Sequence, residues 1–188
     1  TENLGKRNTS VCKMAQTVGA EVFPVDIGVN TDRIFPGVIS RKVKKGTNDF
    51  LLKPAMSERE AMQAVRVGME LVKECKEAGY TLLGTGEMGI GNTTTSSAVA
   101  SVLLQAPVEI VTGRGAGLSN AGLEKKIEVI KEAIALHHPD PEDPLAVLEA
   151  VGGFDIAGMC GLMLGGAIYR IPVVLDGLIS LMAALLAR

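Results

Sequence analysis

Apolar positions along the chain recur with helical spacing in some stretches and as short continuous runs in others, and the two kinds alternate. NTSVCKMAQTVGA (8–20) carries helical spacing, with Asn8, Thr9 or Ser10 as N-cap and Gly19 near the end. EVFPVDIG (21–28) predicts a strand despite Pro24, and 29–56 a long irregular connection of the kind that is functional or mobile. Ser57 opens a helix through a capping box with Glu60, and Gly79 suits its end. YTLLGTG (80–86) reads as a strand, 93–105 as a helix and PVEIVTG (107–113) as a further strand. Ser119 or Asn120 caps a helix through His137, HHPDPEDP (137–144) is a turn, and Asp143 with Pro144 starts a short helix ending at Gly152. Asp155 is expected to cap the Gly/Ala-rich helix IAGMCGLMLGGAIYR; IPVVLDG (171–177) is a short strand, and Leu178 onward is helical.

Helix alternating with short apolar strand predicts an α/β protein with a mostly parallel sheet covered by helices on both faces. Ligands in such folds bind at the C-terminal ends of the strands. Three predicted strand ends carry glycine and a polar group, at 84–92, 113–117 and 176–177. They are expected to meet at one crevice.

Composition narrows the function. Net charge is −2, and the one basic run, RKVKK (41–45), reads as a solvated loop, so a nucleic-acid partner has no electrostatic support. Cys12, Cys75 and Cys160 form no CxxC pair, which argues against a structural zinc site or a disulfide framework and fits a reducing cytosol. His137 and His138 have no third ligand at sensible spacing, so no metal is expected. The apolar run 171–187 is broken by Asp176 and Gly177 and is not a membrane span. The chain starts at Thr1 and stops at Arg188 inside an apolar helical pattern, so it reads as one α/β core domain, 1–188, cut from a longer protein.

GTGEMGIGNTTTSS (84–97) holds the densest chemistry. A P-loop is excluded because Asn92 stands where the lysine must be. Gly84, Gly86 and Gly89 satisfy a dinucleotide fingerprint, with Glu109 in range of a ribose. The extra glycine before the helix and the acid Glu87, which would face a pyrophosphate, argue against it. A phosphate and a ribose suit the site better: a helix N-terminus offers unpaired amides and a favourable dipole, and the hydroxyls of Thr93 to Ser97 add donors. The plainer reading is a tight turn and a capped helix. GRGAG (113–117), with Arg114, is a second glycine loop or a surface turn; Lys125 and Lys126 follow it. Asp176 is an N-cap or a ligand-bonding acid.

GTGEMGIGNTTTSSAV, GRGAGLSNAGLEKKIEVI, GGFDIAGMCGLMLGGAIYRIPVVLDGLIS and KKGTNDFLLKPAMSEREA, covering nearly the whole chain, together resemble the nicotinate-nucleotide:dimethylbenzimidazole phosphoribosyltransferases of cobalamin synthesis. The resemblance implies a Rossmann-like sheet, a small helical domain largely missing from this chain, a cytoplasmic homodimer and no cofactor. It implies transfer of phosphoribose from nicotinate mononucleotide to a benzimidazole base. It places Glu87, Met88, Gly89, Ile90, Gly91, Asn92 and Thr93 at the nucleotide, with Gly113, Arg114, Gly115, Lys126, Asp176 and Gly177. Asp26 and Gly28 match a DxG strand end without an assigned role. The family's general base is a glutamate in a glycine-rich segment beyond Arg188, so this chain alone is expected to be inactive; the lesser alternative is that Glu87 substitutes for that base. The alternatives are a non-catalytic nucleotide-binding subunit and an NAD-dependent oxidoreductase.

Overall fold

A computed structural model describes residues 1–188, in two compact units, Thr1–Gly46 and Thr47–Arg188. The first unit contains α1 (Glu2–Gly5), α2 (Ser10–Thr17), β1 (Val25–Asp26) and β2 (Ile39–Ser40). Thr9 is the N-cap of α2 and accepts from the Cys12 amide. β1 and β2 pair in parallel, Val25 with Ile39 and Asp26 with Ser40. β2 falls within the stretch expected to be irregular. Its two residues are too few to show a period, and it exists only because Pro24 and Asp26 offer carbonyls to Ile39 and Arg41 at 2.8 and 2.9 Å.

The second unit contains α3 (Glu58–Glu77), β3 (Leu83–Gly84), α4 (Thr93–Leu103), α5 (Val108–Val111), α6 (Asn120–His137), α7 (Pro144–Val151), α8 (Phe154–Tyr169), β4 (Val173–Val174) and α9 (Leu178–Leu186). β3 and β4 pair in parallel, Leu83 with Val173 and Gly84 with Val174. The fold is thus mixed α/β with short parallel strands, as the alternation predicts.

Local signals place the helix ends. The Ser57–Glu60 capping box is complete in both directions. The Asp143 carboxylate accepts from the amides of Leu145 and Ala146 ahead of Pro144. Ser119 accepts from the Gly122 amide at the start of α6. Two assignments need correction. Residues 107–113 are not a strand: Pro107 fixes φ at −54° and starts the single turn α5, and Ser97 Oγ donates to the Val111 carbonyl at 3.2 Å. Only Val108 of this turn is buried, while Ile110 lies on the surface, so the apolar run serves a turn with one inward side chain. Asp155 is not an N-cap either. Gly153 holds that position, and Asp155 sits in the first turn of α8.

The core is built on small residues. Residues 96–103 of α4 are buried without interruption, which its serines and alanines allow because they add little volume. Helix α4 packs against α5, α6, α7 and α9. The α3–α8 pair is held by two glycines. A Cβ on Gly68 would stand 1.9 Å from the Gly158 carbonyl oxygen, and one on Gly161 1.9 Å from that of Val65. These helices touch backbone to backbone, an approach only glycine permits. Residues ahead of α3 are also docked: Ala55 and Met56 donate amide bonds to the carbonyls of Ala150 and Glu149, and His137 Nε2 lies 2.6 Å from the Phe50 carbonyl. No helix is long and apolar enough to cross a membrane.

Candidate functional site

Parallel pairing decides which loops are neighbours. The Thr85 amide and hydroxyl both donate to the Val174 carbonyl, at 3.0 and 3.2 Å. The loops after β3 and β4 therefore leave the same edge of the strand pair. The glycine loop 113–117 joins the first of them through α6. Lys126 Nζ donates to Thr93 Oγ1 and to the Gly113 carbonyl, each at 3.0 Å. Gly115, at φ +54°, lies so close to α4 that a Cβ would be 2.7 Å from Thr93 Oγ1.

The loop after β3 and the glycine loop 113–117 meet at the N-terminus of α4. Asn92 occupies its N-cap position and is buried, yet its side chain caps nothing. Instead its amide nitrogen donates to Glu87 Oε2 and to Asp155 Oδ2, both at 2.7 Å. Asparagine at this position ordinarily satisfies one of the unpaired first-turn amides. Here it leaves them to another acceptor. Glu87 Oε2 also accepts from the Gly89 amide. Gly89 and Gly91 take φ of +70° and +81°, the left-handed region that glycine enters without a Cβ penalty.

The charges fall in a specific order around this end. Lys126 is 7% exposed, and its two bonds go to uncharged oxygens. Burial lowers its pKa below the usual lysine value. A desolvated ammonium carrying three N–H donors, two of them used, is a natural partner for an anion. Burial raises the pKa of Asp155; the Asn92 bond and backbone amides at its own helix end oppose this, and the charge of Glu87 adds to it. The Glu87 carboxylate is exposed to solvent.

The residues expected at the site divide by position. Glu87, Gly89, Gly91, Asn92, Thr93, Gly113, Gly115 and Lys126 come together around the start of α4, whereas Met88 and Ile90 of the same loop present 49% and 77% of their surface to solvent. Arg114 turns back into its own loop, bonding the Leu118 carbonyl at 2.8 Å and the Asn120 side chain. Asp176 and Gly177 are exposed beyond β4; Gly177 is the N-cap of α9, and the Asp176 amide donates to Ser180 Oγ at 2.9 Å. Asp26 belongs to the first unit and is structural there. Its Oδ1 accepts from the amides of Gly28 and Val29, and its Oδ2 pairs with Lys42 at 3.0 Å.

The hydroxyl run contributes less than its sequence suggests. Thr95, Ser96 and Ser97 donate to the carbonyls of Asn92, Thr93 and Val111, which leaves Thr93 and Thr94 nearest the open end. Glu109, the acid in range of a ribose by spacing, pairs with Lys131 instead. Lys125 pairs with Glu128 at 3.3 Å on the exposed side of α6. Sequence reasoning missed the placement of Asp155 beside Asn92. The double glycine before it carried the signal: a Cβ on Gly153 would stand 2.7 Å from Asp155 Oδ1, so the carboxylate needs that space.

Comparison with known proteins supplies the remaining piece. A family model described as phosphoribosyltransferase matches residues 1–188. A nicotinate-nucleotide–dimethylbenzimidazole phosphoribosyltransferase of Clostridium acetobutylicum is 51% identical over 187 residues, 100% of this chain and 53% of that protein. One from Roseiflexus sp. is 53% identical over 175 residues, 93% of this chain and 50% of that protein. The crystal structure of CobT from Thermus thermophilus superposes with a TM-score of 0.91 at 36% identity, covering 98% of this chain and 56% of that one. The chain thus spans about half the length of the curated relatives it matches. With the whole chain matched, in sequence and in backbone, it belongs to the nicotinate-nucleotide–dimethylbenzimidazole phosphoribosyltransferase family.

Proposed function

We propose that the protein containing this chain transfers phosphoribose from nicotinate mononucleotide to 5,6-dimethylbenzimidazole, giving α-ribazole 5′-phosphate and nicotinate, and that this chain supplies the nucleotide half of the site. One observation carries the reading: an α4 N-terminus not capped by its own asparagine, beside a buried lysine bonded to uncharged oxygens. A phosphate monoester satisfies both. Its oxygens take the first-turn amides of α4 and the remaining N–H of Lys126. Glu87, an acceptor on the adjacent loop, then faces the ribose hydroxyls. Asp176 and Gly177 border the same edge.

The chemistry asks little else of this half. The nicotinate ring leaves C1′ as a pyridinium, taking the bonding pair onto its nitrogen, so no acid is needed. A benzimidazole nitrogen forms the new bond from the opposite face, which inverts the sugar from β to α, and the other nitrogen gives up its proton to a base. The family resemblance puts that base in a glutamate outside residues 1–188, with Glu87 the only acid of the opening loop that could replace it. On this reading the chain alone binds nucleotide without turning it over, and the complete protein is a cytoplasmic homodimer.

Titration calorimetry with nicotinate mononucleotide tests the reading directly. Saturable binding by the chain is expected, with protection against heat, and no protection by NAD. Protection by NAD alone overturns it. Turnover is measured on the complete gene product by chromatographic detection of nicotinate, and light scattering on the same preparation measures the dimer.

A further inference from the structure

Asn92 joins two helix ends that are distant in sequence. It stands at the N-cap of α4, and its partner Asp155 lies in the first turn of α8. One amide group serves two carboxylates, with Nδ2 at 2.7 Å from Glu87 Oε2 and at 2.7 Å from Asp155 Oδ2. The amide orientation follows from that, because a carboxylate can accept but not donate. Turned over, Asn92 would set its own oxygen against two acceptors. In the observed orientation Oδ1 is buried with no partner. Leaving a buried acceptor unmatched costs about 1–3 kcal/mol, so both donated bonds must outweigh it.

A burden of this kind calls for a role. Asp155 is mostly buried, gains no cationic partner, and shares the amide with a second acid. A neutral, well-packed residue would stabilise the fold more. The arrangement does secure one thing, the orientation of Glu87. Asn92 and the Gly89 amide both hold Glu87 Oε2, and Oε1 makes no bond within the protein.

We propose that Asp155 is a positioning residue: through the Asn92 amide it holds Glu87 with Oε1 free to accept a ligand hydroxyl. The inference deepens the proposed nucleotide site and rests on that reading for its ligand, a ribose. Asp155 itself touches no substrate. Without it, the Asn92 amide is free to turn, and Glu87 loses the bond that fixes its rotamer.

Two readouts separate this inference from the proposed function. The first needs no ligand. In the complete gene product, labelled at glutamate side-chain carbons, the Glu87 carboxyl resonance shifts in Asp155→Ala and in Asn92→Ala. It stays near its original position in Asp155→Asn, whose amide oxygen still accepts from Asn92. The second is the nucleotide. Asp155→Ala and Asn92→Ala each raise KM for nicotinate mononucleotide about tenfold, the loss of roughly one hydrogen bond to an ionised group. The double variant is no worse than either single one, because both break the same connection. Asp155→Asn restores most of the affinity. Additive losses, or an Asp155→Ala protein with an unmoved Glu87 resonance and unchanged KM, overturn the positioning role. Should Asp155→Ala fail to fold, the Asn92 side-chain amide decides in the unmodified protein. Side-chain amide protons that exchange slowly with solvent support the role, and protons that exchange as fast as those of an exposed asparagine refute it. A Glu87 resonance that responds in a protein that binds no nicotinate mononucleotide overturns the proposed function and leaves the positioning intact.

Discussion

Replacing Lys126 with methionine separates binding from stability. Methionine keeps the length and apolar stem of lysine and deletes the ammonium. Two bonds disappear within the protein, to Thr93 Oγ1 and to the Gly113 carbonyl, each 3.0 Å long. Opposing that loss, the buried charge is removed. The sign follows from the lowered pKa. A group whose folded pKa is depressed contributes stability above its unfolded value, here 10.5, and loses it as pH falls through the folded value. At neutral pH the charged lysine is therefore a cost to the free protein. Lys126→Met should leave the thermal midpoint of the unliganded chain equal or higher. Binding should move the other way. A hydrogen bond between ammonium and phosphate is worth about 1.5–3 kcal/mol, and each 1.4 kcal/mol is about tenfold in Kd. The variant should bind nicotinate mononucleotide roughly 10- to 150-fold more weakly and lose most of the ligand-induced rise in Tm. Titration calorimetry and scanning calorimetry on the same preparations read both quantities. The loss should also shrink as pH rises through the lowered lysine pKa, where the native side chain gives up its own charge. A variant with unchanged affinity refutes the reasoning. So does one whose unliganded midpoint collapses, since Lys126 would then be a structural strut between α4 and the second glycine loop.

Three further outcomes are expected. Glu87→Gln in the complete protein should reduce kcat/KM while leaving the circular dichroism spectrum and Tm unchanged, and unaltered kinetics would reduce Glu87 to a turn residue. Gly161→Ala puts a Cβ 1.9 Å from the Val65 carbonyl oxygen, so α3 and α8 must separate; overpacking of this sort costs about 1–3 kcal/mol or more, visible as a lower urea midpoint. Asp143→Ala removes the two amide bonds that start α7 and should cost about 1 kcal/mol by the same urea assay, with nicotinate mononucleotide affinity unaffected.

Local chemistry in the sequence determined most of the framework. The Ser57–Glu60 box, the Asp143–Pro144 start and the Ser119 cap are satisfied within a few residues, so they read correctly in isolation. The alternation of helix and short strand likewise carried the fold class, because burial period is a property of one segment. The four glycines and the acid of the opening loop lie directly ahead of α4, where the proposed site is built. What the sequence could not decide depends on groups far apart along it. Whether PVEIVTG became a strand depended on a hydroxyl from Ser97 and on Pro107, not on its own apolar character. The hydroxyls after Asn92 looked like ligand donors, yet Thr95 and Ser96 bond back to carbonyls of their own helix turn, and Ser97 bonds the Val111 carbonyl that the fold brings near. Asp155 matched a cap by spacing and does not hold that position; the approach of α8 to α4 turned it toward Asn92. Lys126 could be promoted from a helical lysine to a buried ammonium only once α6 had set it between Thr93 and Gly113. Short-range hydrogen bonds and hydrophobic period are written locally, while the direction of a side chain and the charge it can keep are set by the elements packed against it.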